Sequence, residues 1–294
     1  MLQALVDIPL RSPMDQIAIG RAGSAVGEVL RCAAGAATPG ATTLDVNRAA
    51  AECMEALGAT GLFRGYRRGS APPFPGDVCI SVNDEVVHGV PSSRRIEHGD
   101  IVSIDVGARI DGWCADAAVS VIALNPAGAE PGPLLEARIR RRRELLAQTT
   151  ALLESAVRMA RPGVVWSSIA RALELEATER GFCMVLEYCG HGIGRELHEP
   201  PKAPTVWTGF AGPDFTLAPG MVLAIEPILT SETPRALLRP GEPGPRHRSA
   251  VVTRPDGWTV RTVSGADACH VEHTVAITPD GATVLTAPPR AEGA

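Results

Sequence analysis

Residues 99–121 read GDIVSIDVGARIDGWCADAAVSV, two apolar runs rich in Val and Ile on either side of Asp111-Gly112. An Asp-Gly pair between such runs is a strong signal for a tight β-hairpin. Strands are therefore expected over 101–107 and 113–124, each carrying one acid, Asp105 and Asp116. A plain two-residue turn makes these two diagonal neighbours, and one extra bulge residue makes them direct partners. In either case they share a face within about 8 Å. The run from Ile101 to Val106 is almost continuously apolar, as in a strand buried on both faces. An aspartate there needs a partner, and two facing carboxylates destabilise a sheet unless positive charge lies between them. The competing reading is a pair of aspartates on a solvated face.

Three further stretches repeat the pattern. Glu226 stands in GMVLAIEPILT (220–230), with Pro227 blocking the next ladder bond, and Glu272 stands in ACHVEHTVAIT (268–278). His191 and His198 lie in YCGHGIGRELHEPP (188–201), where glycines at 190, 192 and 194 permit tight turning and close approach to a ligand. Pro200 and Pro201 impose an extended exit after His198. His88 lies in NDEVVHGVP (83–91). Each glutamate taken alone could pair with an arginine, and each histidine could be an ordinary surface imidazole. Together, however, Asp105, Asp116, His191, Glu226 and Glu272 offer four carboxylates and one imidazole. Two divalent cations would neutralise such a set. Oxygen-rich donors of this kind suit Mn, Co, Fe or Zn without choosing among them. His98, His247, His270 and His273 have weaker surroundings and are read as structural or exposed.

The rest of the chain organises around these segments. Helices are expected over 13–36, 42–57, 134–160 and 167–180. Further strands are expected near 78–83, 184–189, 221–230, 249–253, 258–263 and 270–278. Pro39-Gly40 precedes a helix closed by Gly58, and Pro162-Gly163 precedes one closed by Gly181 at the same spacing. This internal echo points to two related α/β halves. The reading is one catalytic domain over 13–286, with repeats 13–133 and 134–286, after an N-terminal extension 1–12 and before a disordered tail 287–294. The Pro/Gly-rich stretch RPGEPGPRHR (239–248) reads as a mobile loop within an insertion at 231–249.

Composition narrows the function classes. The 294 residues are 45% hydrophobic and 21% charged with a net charge of −5, enough for a full core and no reason to expect nucleic acid or an anionic membrane as partner. The cluster of Arg138 and Arg140 to Arg143 spreads around more than one helix face and is read as solvated. No apolar run approaches the roughly 18 residues of a membrane span, and MLQALVDIPLRSP lacks the parts of a secretory signal. The seven scattered cysteines form no zinc-finger spacing, so reduced thiols in the cytoplasm are expected.

Eight segments in order resemble the bacterial type I methionine aminopeptidases of the pita-bread metallopeptidase family: SVNDEVVHGVP (81–91), GDIVSIDVG (99–107), DGWCAD (111–116), YCGHGIGR (188–195), LHEPP (197–201), GMVLAIEP (220–227), DGWTV (256–260) and HVEHT (270–274). The resemblance spans about 13–285. It implies an α/β (α+β) pita-bread fold of two pseudo-symmetric halves, with an antiparallel sheet covered by helices. It implies a dinuclear centre in which Asp105 chelates one metal, His191 and Glu226 serve the other, and Asp116 and Glu272 bridge both. A water between the metals would attack the first peptide bond of a protein or peptide. Glu226 would relay its proton, His198 would stabilise the oxyanion and His88 would contact the scissile amide. The partners implied are N-terminal peptides, including nascent chains at the ribosome, met by a monomer.

Some positions depart from the family pattern. Ala117 and Ala118 follow the second aspartate where Thr is usual, which is expected to loosen support of the metal site. Leu197 replaces an aromatic at the edge of the methionine pocket. Phe74, Cys79 and Trp258 still suit a thioether, while RRGSAPPFPG (67–76) offers Phe74 alone in place of the usual tyrosines. The alternatives are a same-fold aminopeptidase with a different first-residue preference and a non-catalytic binding member. Proline-specific or creatine-cleaving relatives carry a large N-terminal domain for which this sequence leaves no room.

Overall fold

The computed structural model describes residues 7–125, 132–208, 210–234 and 248–286. The expected tail 287–294, the first half of the extension and most of the 231–249 insertion lie outside these residues. Helix α1 (Pro13–Ala36) starts at Ser12, whose hydroxyl accepts from the Asp15 amide while the Asp15 carboxylate returns to the Ser12 amide. Helix α2 (Thr43–Ala56) starts on the same capping box between Thr42 and Asp45. Strands β1 (Thr60–Gly61), β2 (Cys79–Val82), β3 (Glu85–Val87), β4 (Ile101–Ile110) and β5 (Trp113–Ile122) follow. The second half holds α3 (Pro133–Met159), α4 (Trp166–Glu179), β6 (Cys183–Met184), β7 (Gly190–Gly192), β8 (Glu199–Ala203), β9 (Val222–Ile225) and β10 (Ile228–Thr230). Strands β11 (Val251–Thr253), β12 (Val260–Thr262), β13 (Ala268–His270), β14 (His273–Thr278) and β15 (Gly281–Val284) complete it.

The Pro-Gly echo has a structural counterpart. Helix α4 begins and ends 123 residues after α2 (43 to 166, 56 to 179), and β6 lies the same distance after β1 (60 to 183). Both helices close at a left-handed glycine, Gly58 and Gly181. All strand pairs are antiparallel, in sheets ordered β1-β4-β2 with β5 also on β4, β13-β10-β6, β11-β12-β3, and β15-β14-β9-β7-β8. One apolar core packs α1 and α2 on the first sheet through Val26, Val29, Val46, Ile80, Ile104 and Val106. The other packs α3 and α4 on the second half through Leu145, Leu152, Trp166, Leu173, Leu223 and Val275. Each fully buried large side chain contributes about 1.5–3 kcal/mol of transfer free energy, so helices cover both halves on the side away from the carboxylates.

Several sequence expectations are corrected. The expected strand 221–230 is broken at Glu226-Pro227, and the strand 270–278 is broken at Val271-Glu272. The segment expected as a strand over 184–189 pairs only at Cys183–Met184. Of the arginines read as solvated, Arg142 is buried. Its guanidinium donates to both Asp267 oxygens at 2.7 and 3.0 Å and to the Gly99 carbonyl at 2.7 Å. A buried guanidinium needs such acceptors on every side, and here they tie α3 to the start of β4 and to the loop before β13.

Candidate metal centre

The ladder from Ile101↔Ile122 to Ile110↔Trp113 closes on a two-residue turn, with φ of 49° at Asp111 and 75° at Gly112. Asp105 lies opposite Ala118, and Asp116 lies opposite Gly107, so the two aspartates are diagonal neighbours on one face. The second half meets this face along a seam. Ala118 exchanges both backbone hydrogen bonds with Glu272, at 3.3 and 3.0 Å. The Thr274 hydroxyl accepts from the Asp116 amide at 3.0 Å and donates to its carbonyl at 2.7 Å. Ser120 donates to the His270 carbonyl at 2.8 Å and is bonded to Ser103 at 2.7 Å. Positions 116, 118 and 120 thus engage 274, 272 and 270 in reverse order, which brings Glu272 beside Asp116.

His191 arrives on β7, between β8 and β9. The flanking glycines serve the sheet, not a turn. A Cβ on Gly190 would lie 2.3 Å from the Ala224 carbonyl oxygen, and one on Gly192 would lie 2.1 Å from that of Pro200. Close approach of neighbouring backbones, rather than of a ligand, is what these glycines permit. His191 Nδ1 faces its neighbour's carbonyl, Gly192 O, at 3.0 Å. An Nδ1–H donated there leaves a lone pair on Nε2. That Nε2 faces Asp116 at 3.8 Å and Glu226 at 3.9 Å.

Donor atoms of Asp116, His191 and Glu272 all lie within 4.8 Å of one another, and the three residues are buried. Asp105 and Glu226 line the same cavity of ≈ 1020 Å³, together with His88, His198, Phe74, Cys79, Leu197 and Trp258. Burial is the main cause that raises every carboxylate here. Asp116 is pushed to about 7. Glu226 is pushed to about 8, with the Asp116 charge adding to burial. Asp105 and Glu272 go well above the usual carboxylate range, through burial and then the neighbouring acids. Burial likewise pulls His191 and His88 down to about 3 and His270 to about 4, so all three imidazoles are neutral. Among the described residues, one oxygen each of Asp105, Asp116 and Glu272 is buried without a hydrogen-bond partner. Lone pairs and carboxylates turned on one another are the donor set of a cation site.

His88 holds a left-handed backbone, φ 57°, and its Nδ1 has no partner. Strain of this kind in a non-glycine residue gathers at functional positions. Its ring stands edge-on to Tyr188 and Trp258. The His198 ring packs against that of His191 at a tilt of 59°, with ring centroids 4.3 Å apart.

Three residues escaped the sequence reading. Tyr66 lies one residue before the stretch judged poor in aromatics, and its hydroxyl reaches His198 Nδ1 at 3.1 Å. Phe63 lines the cavity and stands edge-on to Phe74. His270, read as structural or exposed, is 3% exposed and places Nε2 3.8 Å from Glu226 and 3.7 Å from Glu272. Its position two residues before Glu272 was the available signal.

A model of metallopeptidase family M24 matches residues 18–279. A methionine aminopeptidase of Aquifex aeolicus is 38% identical over 95% of this chain and 98% of its own length. One of Treponema pallidum is 42% identical over 74% of this chain and 75% of its own. The crystal structure of the Thermotoga maritima methionine aminopeptidase superposes with a TM-score of 0.79 at 34% identity, covering 95% of this chain and 99% of that one.

Proposed function

The chain belongs to metallopeptidase family M24, and on that premise we propose that it removes the N-terminal methionine from peptides and newly made proteins, using two divalent cations. Asp105, Asp116, His191, Glu226 and Glu272 would hold the ions. The observation that carries this reading is the set of partnerless carboxylate oxygens and the His191 Nε2 facing Asp116 and Glu226. The bound ions would polarise the scissile carbonyl and acidify a water between them.

The chain's own groups do the remaining work. Glu226 takes the proton of the attacking water and passes it to the leaving amine, as its position beside both imidazoles and carboxylates allows. The Tyr66 hydroxyl lies 3.1 Å from His198 Nδ1, and in this mechanism it is the donor. That fixes the tautomer in which Nε2–H faces the oxygen where negative charge develops. His88, held neutral by burial, meets the scissile amide. Phe63, Phe74, Cys79, Leu197 and Trp258 form an apolar wall suited to a thioether. Trp258 is fixed by its indole N–H, which donates to the Pro72 carbonyl at 2.7 Å. His270 Nε2 stands 3.8 Å from Glu226 and 3.7 Å from Glu272, beside the proposed centre.

Among the described residues, no helix is long and apolar enough to cross a membrane. A monomer acting on nascent or released chains in the cytoplasm completes the proposal. The test is a set of peptides of the form X-Ala-Ser, assayed after loading with Mn, Co, Fe or Zn. Release of the first residue only when X is methionine is the expected result. Release with other residues at X moves the reading to an altered pocket, and metal binding without release of any residue ends it.

A further inference from the structure

Two helices on the far side of the first half bring a pair of thiols together. Cys32 sits in the last third of α1, and Cys53 sits near the end of α2. Their sulfurs are 2.8 Å apart, and both side chains are half-buried. Two non-bonded heavy atoms rest at about 3.5–4.0 Å, and a disulfide bond is about 2.05 Å. The pair therefore needs a shift of less than about 1 Å to bond. Neither cysteine lines the cavity.

The surroundings separate the two thiols. The Arg31 guanidinium stands 3.9 Å from the Cys32 sulfur, placing positive charge beside it. Cys53 is pushed up to about 12, by burial first and then by its contact with Cys32. Cys32 has a cation at hand, while Cys53 holds its proton more tightly than an ordinary thiol. A cation is a poor alternative occupant. Glu28 is the third possible ligand, and its carboxylate is already engaged by Arg31, which donates from Nε at 2.9 Å and from Nη2 at 2.5 Å. A metal would have to displace that guanidinium and accept its charge nearby.

We propose that Cys32 and Cys53 form a reversible thiol–disulfide exchange site whose oxidant is a small disulfide such as that of glutathione. The Cys32 thiolate attacks one sulfur of the incoming disulfide, giving a mixed disulfide and releasing one small thiol. Cys53 then gives up its proton to solvent and attacks the Cys32 sulfur, closing the Cys32–Cys53 bond and releasing the second small thiol. One small disulfide is reduced to two thiols, and two protein thiols become one bond. The bond staples α1, which packs against the strands carrying Asp105 and Asp116, to α2. In a reducing compartment the staple is transient. Its effect is on stability and not on the chemistry in the cavity.

The test uses the full chain, incubated with oxidised or reduced glutathione, then alkylated and mapped by mass spectrometry. The expected product is a Cys32–Cys53 cross-linked peptide lacking two hydrogens, reversed by dithiothreitol. Closing this loop is expected to raise Tm by about 5 °C. Cys32→Ser and Cys53→Ala each abolish the cross-link and the shift. Separate glutathione adducts on the two cysteines without a cross-link overturn the assignment, as does a cross-link that leaves Tm unchanged. Loss of one equivalent of bound zinc from the reduced Cys32→Ser variant, relative to the parent chain, also overturns it and makes the pair a metal site.

Discussion

Asp105 and Asp116 stand on a hairpin whose ten-residue strands pair without a register shift, whereas Glu226 and Glu272 stand where ladders stop. In the first half a regular pleat aims two acids at one place, and the hairpin turn sets their spacing. In the second half Glu226 follows β9 and precedes Pro227, and Glu272 lies between β13 and β14. There the backbone leaves one sheet and joins another, and each acid sits at the crossing. A ladder presents side chains at fixed intervals, so it can supply a pair of donors but not surround an ion. Donors from other directions require strands that end. The seam through Ala118, Glu272 and Thr274 then holds the interrupted half in register with the continuous one.

The first way to break this comparison is to remove a carboxylate from each half. Glu226→Gln should lower turnover by roughly 10²–10⁴-fold, the range for loss of a positioned proton carrier. Asp105→Asn should lower it as far, with metal stoichiometry by elemental analysis falling below that of the parent chain. Circular dichroism and Tm should show both variants folded. If one half's acid proves dispensable, the two halves do not build one centre.

Metal removal gives the next largest effect and carries a sign. Asp116 at about 7 and Glu226 at about 8 are held above their ordinary carboxylate values by burial. The unfolded chain loses these protons near pH 4, so the folded, metal-free chain binds more protons above that point. Its stability therefore falls as pH rises from about 4 through 8 and levels above both values. Tm of the chelator-treated protein should decline across that window. Loading with Mn should raise Tm most at the alkaline end, where ionised carboxylates need the charge. A Tm that rises with pH in the stripped protein contradicts the buried acidic cluster.

How much of this was legible in the sequence follows the same division. The hairpin could be read down to a choice between a plain turn and a one-residue bulge, because Asp111-Gly112 marks the turn, and the structure takes the plain turn. The ends of α2 and α4 could be read as well, since Gly58 and Gly181 act through local backbone freedom. Pro227 signalled the lost ladder bond beside Glu226, but the break at Val271-Glu272 carried no local signal, because it answers to a partner strand far away in the chain. Arg142 looked like any arginine in a basic run, and only Asp267 and the Gly99 carbonyl make it a buried one. Tyr66 carried no periodic signal, and His270 offered only its spacing of two residues from Glu272. Long-range contacts place both: His198 draws Tyr66 to the cavity wall, and the Ser103–Ser120 pair holds the His270 backbone so that its ring stands beside Glu226 and Glu272.

The seam can be sharpened with Thr274→Val, which keeps shape and removes one hydroxyl. Both the Asp116 amide and its carbonyl lose their partner in a buried setting, at a cost of about 1–3 kcal/mol for each such group left bare. A urea titration should show the midpoint fall with the slope unchanged. Metal affinity should weaken by about 10–100-fold, as expected when a supporting contact behind a ligand is lost. Thr274→Ser, which retains the hydroxyl, should restore most of both. Restoration of stability without restoration of metal affinity would separate the seam from the site.

The smallest effect tests the hairpin itself. Gly112 has φ 75°, and a Cβ there would lie 3.1 Å from Arg195 Nη1, the far end of a flexible side chain. Gly112→Ala should therefore cost chiefly the left-handed backbone penalty of about 1–2 kcal/mol, together with the Arg195 Nη1 contact to the Gly112 carbonyl at 3.3 Å. Arg195 can swing aside, although its guanidinium leaves a favourable position 3.6 Å above the Trp113 ring. Asp105 and Asp116 lie several ladder pairs from the turn, so their register survives and turnover per folded molecule stays at the parent level. An uninterrupted ladder isolates its acids from damage at its end, and the broken strands of the second half have no such insulation. A fall in turnover per folded molecule would show that the turn, and not the ladder, sets the spacing of the two aspartates.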